Sequence, residues 1–131
     1  MKTLAQIRAK NALAHRQEVQ NVLNQPGQGD ALSGFPMLIK TNGLLAALAF
    51  ANEQKRDQHN HLVFKHPADQ IIAMAIAAHL RDNQPEAQIA ITQAQDADTL
   101  VKELTEADAS KLRRATAEAI AFLNYLKRFV S

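Results

Sequence analysis

No cysteine occurs in this sequence, which removes disulfides, thiolate metal sites and cysteine nucleophiles at once. That absence fits a reducing compartment, and a cytoplasmic location is the expectation. Tryptophan is also missing, aromatics make up only 5% of the chain, and β-branched residues are scarce, a balance that disfavours sheets. Glycine and proline number four each, so there are few turns and the elements should be few and long. The longest uncharged apolar run, residues 43–51, is far too short to span a bilayer. The opening M-K-T-L-A-Q-I-R-A-K-N carries charges inside any signal core and does not read as a secretory leader. Serines number three, at Ser33, Ser110 and Ser131, and none stands in a G-x-S-x-G elbow. There is no G-x-x-x-x-G-K-[ST] phosphate loop and no H-E-x-x-H pair, so the residues offer no catalytic constellation.

What is present is Ala, Leu, Gln and Asn in a chain of 131 residues with 47% apolar content. That length buries a real core in one domain, and the composition favours helices. The expected fold is an all-α bundle of five or six helices, a single domain over residues 1–131. Thr3 and Gln6 form a capping-box pattern for a first helix running to about Leu23. On its wheel Leu4, Ala5, Ala12, Val19, Val22 and Leu23 share one side, together with Arg8, which is placed to pair internally with an acid. Residues 24–34, rich in glycine, read as a mobile loop. A central helix should start with Pro36 at a first helical position and continue to about Lys55. It is apolar on every side, the mark of an enclosed helix, yet Lys40, Thr41, Asn42 and Gly43 interrupt it.

A polar connection with His59 and His61 follows, then an apolar run over residues 62–64, and a buried helix from Pro67 to near Asp82. N-Q-P at residues 83–85 is a break. Residues 87–95 read as helical or irregular, because a lone strand there would have no evident partner. Asp96 caps a short helix through Leu104. Thr105, with Asp108 three residues on, should cap a final helix that ends near Phe129. Its core side carries Ala115, Ala119, Phe122, Leu123, Leu126 and Phe129.

Two groups of residues compete for function. His59, His61 and His66, with Asp57 and Asp69 nearby, have a spacing that supplies metal ligands, but without a recognised acidic partner they read as a solvated loop and a helix cap. His79 reads as a satisfied core histidine. The cations form the second group. Lys40, Thr41 and Asn42 place an ammonium, a hydroxyl and an amide at one turn, suited to a phosphate–sugar backbone. Against that, Lys40 could simply extend from a buried stem. Lys111, Arg113, Arg114, Lys127 and Arg128 form a basic strip on the last helix, and Lys10 and Arg16 add charge to the first. A solvated helix face explains such a strip equally well, and Lys127 and Arg128 also suit a helix C-terminus. The formal net charge of +2 does not choose between them.

The segment F-P-M-L-I-K-T-N-G-L-L-A-A-L-A-F, residues 35–50, resembles the signature helix of the small helical subunit of the type III-B CRISPR RNA-silencing complex, the fifth member of the Cmr protein family. L-N-Y-L-K-R-F, residues 123–129, resembles that family's closing aromatic-Leu-basic-basic-Phe segment, and the L-V-K-E-L-T before it also fits. Tyr125 departs from the family pattern, which has Trp there. The glycine-rich loop and the histidine connection lie outside the resemblance. The resemblance implies a non-catalytic subunit without metal or cofactor, whose partners are other Cmr subunits, further copies of itself, and guide and target RNA. It implies that RNA is held through backbone contacts, for which Lys40, Thr41, Asn42, Lys10, Arg16, Lys111, Arg113, Arg114, Lys127 and Arg128 are the candidates. The alternative is a helical adaptor that binds only protein, its basic strip serving solubility.

Overall fold

A computed structural model describes residues 2–82 and 89–130. The break expected at residues 83–85, the start of the ambiguous segment at Ala87, and Ser131 lie outside the described residues. The elements run α1 (Leu4–Leu23), α2 (Ala31–Asn42), α3 (Leu44–Ala51), β1 (Gln54–Arg56), β2 (Leu62–Phe64), α4 (Pro67–Leu80), α5 (Ala97–Glu106) and α6 (Ala109–Phe129). The all-α expectation holds, with six helices and one small hairpin among the described residues.

Helix α1 begins where its capping box predicts: Gln6 N–H donates to the Thr3 hydroxyl, and the Thr3 N–H donates to the Gln6 side chain. Its buried residues are Ile7, Ala12, Val19 and Val22, whereas Ala5 is exposed. Helices α1 and α6 pack against α4, whose face from Ile72 to Leu80 is almost fully enclosed. Phe35 and Ile39 of α2, Leu44 and Leu48 of α3, and Leu100 and Leu104 of α5 complete one contiguous core.

The central helix differs from the expectation in two ways. It starts five residues early, at Ala31, because the Asp30 carbonyl accepts from Ser33 N–H and Gly34 N–H while Leu32 and Phe35 are drawn into the core. Pro36 therefore sits inside the helix rather than at its first position. The helix also breaks at Gly43, whose φ of 91° and ψ of 161° no helix contains. This corner of backbone space is essentially closed to residues with a Cβ. A Cβ built on Gly43 would meet nothing within 4 Å, so the glycine is there for its backbone and not for close packing of a neighbour. The polar interruption is consequently a junction between two helices and not a defect in one. It also opens the outer side of α2: Met37 and Lys40 are exposed, so this helix is not enclosed all round.

After α3 the chain turns out of the helical pattern at Ala51 and pairs Gln54 with Phe64, Lys55 with Val63 and Arg56 with Leu62 in an antiparallel hairpin. Residues 62–64 thus find a strand partner in a segment expected to be helical. The Asp57 carboxylate accepts from the N–H groups of His59 and His61, and Asn60 takes the left-handed conformation at φ 62°. Asp57 therefore builds a turn. In the glycine-rich loop, the Gln28 side-chain oxygen accepts from Ala68 N–H and ties the loop to the start of α4. Residues 89–96 are irregular, as one expected reading had it, with Ile91 N–H and Thr92 N–H both donating to the Leu80 carbonyl. Asp96 caps α5 through Thr99 N–H. The last cap is Asp108, which accepts from Lys111 N–H; Thr105 lies within α5 and donates to the Val101 carbonyl. A carboxylate is the stronger partner for a helix N-terminus, and α5 runs on through Glu106.

Replacing Gly43 with alanine should cost about 2 kcal/mol, because a left-handed residue is strained there and no neighbour is displaced. Urea unfolding of Gly43→Ala checks this, and an unchanged midpoint would show that the junction can close into regular helix.

Candidate nucleic-acid interface

The last helix carries both the buried anchor of the fold and most of the candidate cations. On its inner side Glu118 sits among Ala115, Ala119 and Phe122, only 8% exposed. Such a carboxylate needs partners. Arg8 of α1 supplies two, with its Nε 2.7 Å from Oε2 and its Nη2 2.8 Å from Oε1. His79 of α4 supplies a third, with Nε2 2.9 Å from Oε2 and the ring stacked on Phe122. The other ring nitrogen of His79 faces the Asn11 amide nitrogen at 2.8 Å, and that same nitrogen donates to Asp82. Asp82 fixes which end of the Asn11 amide points inward, so His79 Nδ1 accepts and its Nε2–H donates to Glu118. The expected internal acid for Arg8 is thus Glu118, and His79 is a satisfied core histidine.

Burial alone would push the Glu118 carboxyl up, but the bonds from Arg8 and His79 outweigh it and hold the value at about 2, against an ordinary 4.5. Glu118 in turn raises the Arg8 guanidinium, against a smaller opposing effect of burial. Because the folded value of Glu118 lies below the unfolded one, its stabilisation is complete above about pH 4.5 and fades as pH falls toward 2. Substituting Glu118→Gln should cost about 3 kcal/mol near neutral pH and flatten the acid limb of the stability profile. Urea titrations between about pH 6 and about pH 3 read both effects; an unaltered acid limb would place the titrating group elsewhere.

On the outer side, Arg113, Arg114, Lys127 and Arg128 are exposed and have no ion pair among the described residues. The strip is divided, since fourteen residues of helix separate its ends by roughly 21 Å. Lys111, at the near end, is engaged: its ammonium lies 3.0 Å from the Glu103 carboxylate of α5. The far end is joined by α1, which lies alongside α6 in the same direction. Arg16 shares a shallow cleft with Gln17, Gln20, Asn24 and Phe129, and Lys127 shares another with Asn24, Leu32 and Ser33. Arg8 and Arg128 border a third, of about 350 Å³. The fold therefore brings Arg16, Lys127 and Arg128 together along one seam and leaves Arg113 and Arg114 apart. Lys10 is exposed on α1 outside these three clefts.

Lys40 belongs to neither group. It lies in the last turn of α2, exposed, roughly 12 Å along the helix from Leu32 at the α6 end. The Thr41 hydroxyl is used internally, 3.0 Å from the Met37 carbonyl and 2.7 Å from the Asn42 side-chain oxygen. What remains to meet a ligand at this turn is the Lys40 ammonium and the Asn42 amide nitrogen. The histidine connection is dispersed: His59 and His61 are exposed on the hairpin turn, and His66 stacks on Phe50 at 3.8 Å. Among the described residues no three His, Asp or Glu side chains are grouped to hold a metal ion, and no helix is long and apolar enough to cross a membrane.

Sequence reasoning missed the Glu118–His79–Asn11–Asp82 chain. The unused signal was an acid on the apolar side of the last helix, which demands a buried cation such as the Arg8 expected to pair internally.

A family model described as CRISPR-associated protein (Cas_Cmr5) matches residues 4–131. No curated protein matches the sequence. Among solved structures, the crystal structure of a CRISPR-associated Cmr5 family protein from Thermus thermophilus is similar, with a TM-score of 0.64 at 23% identity, covering 98% of this chain and 95% of that one. At that identity the likeness establishes the fold.

Proposed function

The chain belongs to the Cas_Cmr5 family of type III-B CRISPR systems, and from that premise we propose that it is a non-catalytic, cytoplasmic subunit that works in several copies and grips the RNA backbone of the effector complex. The observation that carries the RNA contact is the state of its cations. Lys10, Arg16, Lys40, Arg113, Arg114, Lys127 and Arg128 are all exposed and without an ion pair among the described residues. Cations left unpaired on a rigid helical frame suit sequence-independent contact with phosphates, which is what guide-directed recognition leaves to the protein. The partners under this reading are the other Cmr subunits, neighbouring copies of the chain, and guide and target RNA.

The adaptor reading also has an observation behind it. Leu62 and Phe64 are 57% and 37% exposed on the hairpin, and Met37 is 58% exposed on α2. These apolar side chains suit protein contacts, and an adaptor would need nothing else.

Titrating labelled single-stranded RNA into the free and assembled protein separates the two. Under the RNA reading, each of Arg16→Ala, Lys40→Ala and Lys127→Ala should lower the salt slope by about 0.7. Lys111→Ala should change little, since its ammonium is already paired. No RNA binding in either state, or slopes indifferent to all four substitutions, would favour the adaptor.

A further inference from the structure

The cleft between α1 and α6 lined by Arg8, Ala121, Asn124, Tyr125 and Arg128 differs from the other basic surfaces of the molecule. Its volume, about 350 Å³, is within the range of small-ligand pockets. Its lining combines two arginines, a tyrosine, an asparagine and the small side chain of Ala121. Arg8 is fixed there by Glu118, which takes its Nε and Nη2 and leaves Nη1 outside that pair. A guanidinium held in this way is oriented before any ligand arrives, and less rotamer freedom is lost on binding. Arg128 is exposed and unpaired among the described residues, so the charges of Arg8 and Arg128 exceed that of Glu118 by one. Tyr125 is half-buried, its ring tilted against Phe129 at 6.4 Å.

We propose that this cleft seats one nucleotide unit of single-stranded RNA, its phosphate between Arg8 Nη1 and Arg128, its base against the Tyr125 ring and its base edge or sugar near the Asn124 amide. The proposal rests on the RNA-contact reading above and deepens it, turning one stretch of a general cationic surface into a defined subsite. A carboxylate side chain of a protein partner would satisfy the arginines but leave the aromatic wall without a role. A nucleotide uses both.

The test uses adenosine 5′-monophosphate, adenosine and inorganic phosphate as separate probes of the full chain, followed by amide and side-chain NMR shifts. The nucleotide should move the Asn124 and Tyr125 resonances, with adenosine and phosphate each weaker than the two joined. Tyr125→Leu should lower affinity for a single-stranded RNA about 10-fold with the salt slope unchanged. Tyr125→Phe, which keeps the ring, should bind as the unaltered chain does. Arg128→Ala should reduce the slope by about 0.7. If millimolar nucleotide leaves Asn124 and Tyr125 unmoved, the subsite is wrong. It is equally wrong if Tyr125→Leu is silent while RNA still binds through Arg16 and Lys127, and in that case the RNA-contact reading survives. Loss of binding to a Cmr subunit with RNA affinity intact would make the cleft a protein contact and overturn the proposal. Thermal unfolding of each variant separates these outcomes from loss of fold.

Discussion

One buried carboxylate ties three helices of the bundle together. Glu118 is buried on the helix that contacts both α1 and α4, and an isolated charge in that position would cost several kcal/mol. It is tolerable only while Arg8 and His79 both reach it, and they come from two different helices. Sliding α1 by one residue would carry Arg8 out of range, and turning α4 would remove His79. Apolar substitutes of similar volume would hold the three helices together as strongly. The charged cluster extends through Asn11 to Asp82 at the C-terminal end of α4. A consequence for the surface follows: Arg8 is presented at the α1/α6 groove in one orientation, beside Arg128.

The Gly43 junction has a comparable effect on the presentation of Lys40. Had residues 36–55 formed one helix, the apolar content of the segment would have enclosed it, and Lys40 would have had to reach out along its stem. The break ends α2 at Asn42, which places Lys40 in a last turn where a cation is favoured by the helix dipole. Lys40 thus has a local structural reason to be where it is, in addition to any ligand. The two explanations are compatible: a lysine that stabilises a helix end while exposed is also free to meet a phosphate.

How much of this was legible in the sequence varied with the range of the interaction involved. The Thr3 and Asp96 caps act over three residues and were readable, and so was the periodic core of α4 and α6. The hairpin was not. β1 is polar, Q-K-R, and its partner β2 is three residues long, so no alternation could develop. The start of α2 was misread because Pro36 looks like an N-terminal signal, whereas burial of Phe35 and Leu32 carries the helix past it. Thr105 and Asp108 both have cap chemistry, and only the length of α5 decides between them. The cations of the candidate site were all identifiable as residue types. The internal pairing of Arg8 was legible too, though not its partner Glu118, whereas the neutralisation of Lys111 by Glu103 was not, because it depends on helix packing.

That pairing also explains why a formal net charge of +2 says little about this surface. Many of the acids are committed to the fold. Asp96 and Asp108 cap helices, Asp57 holds the hairpin turn, Asp82 orients Asn11, and Glu53, Asp98, Glu103 and Glu118 pair with cations or histidines. Their charge is spent locally, next to the groups they bind, while Arg16, Lys127 and Arg128 stand in a seam where, among the described residues, no carboxylate lines the three clefts. Screening over about 8 Å at physiological salt makes that local balance, rather than the total, the quantity a polyanion meets. It also makes the Arg113–Arg114 cluster, roughly 21 Å away along the helix, electrostatically independent of that seam. A chain with two separated weak cationic surfaces gains most when both meet one continuous polyanion, since the second contact then forms at high effective concentration.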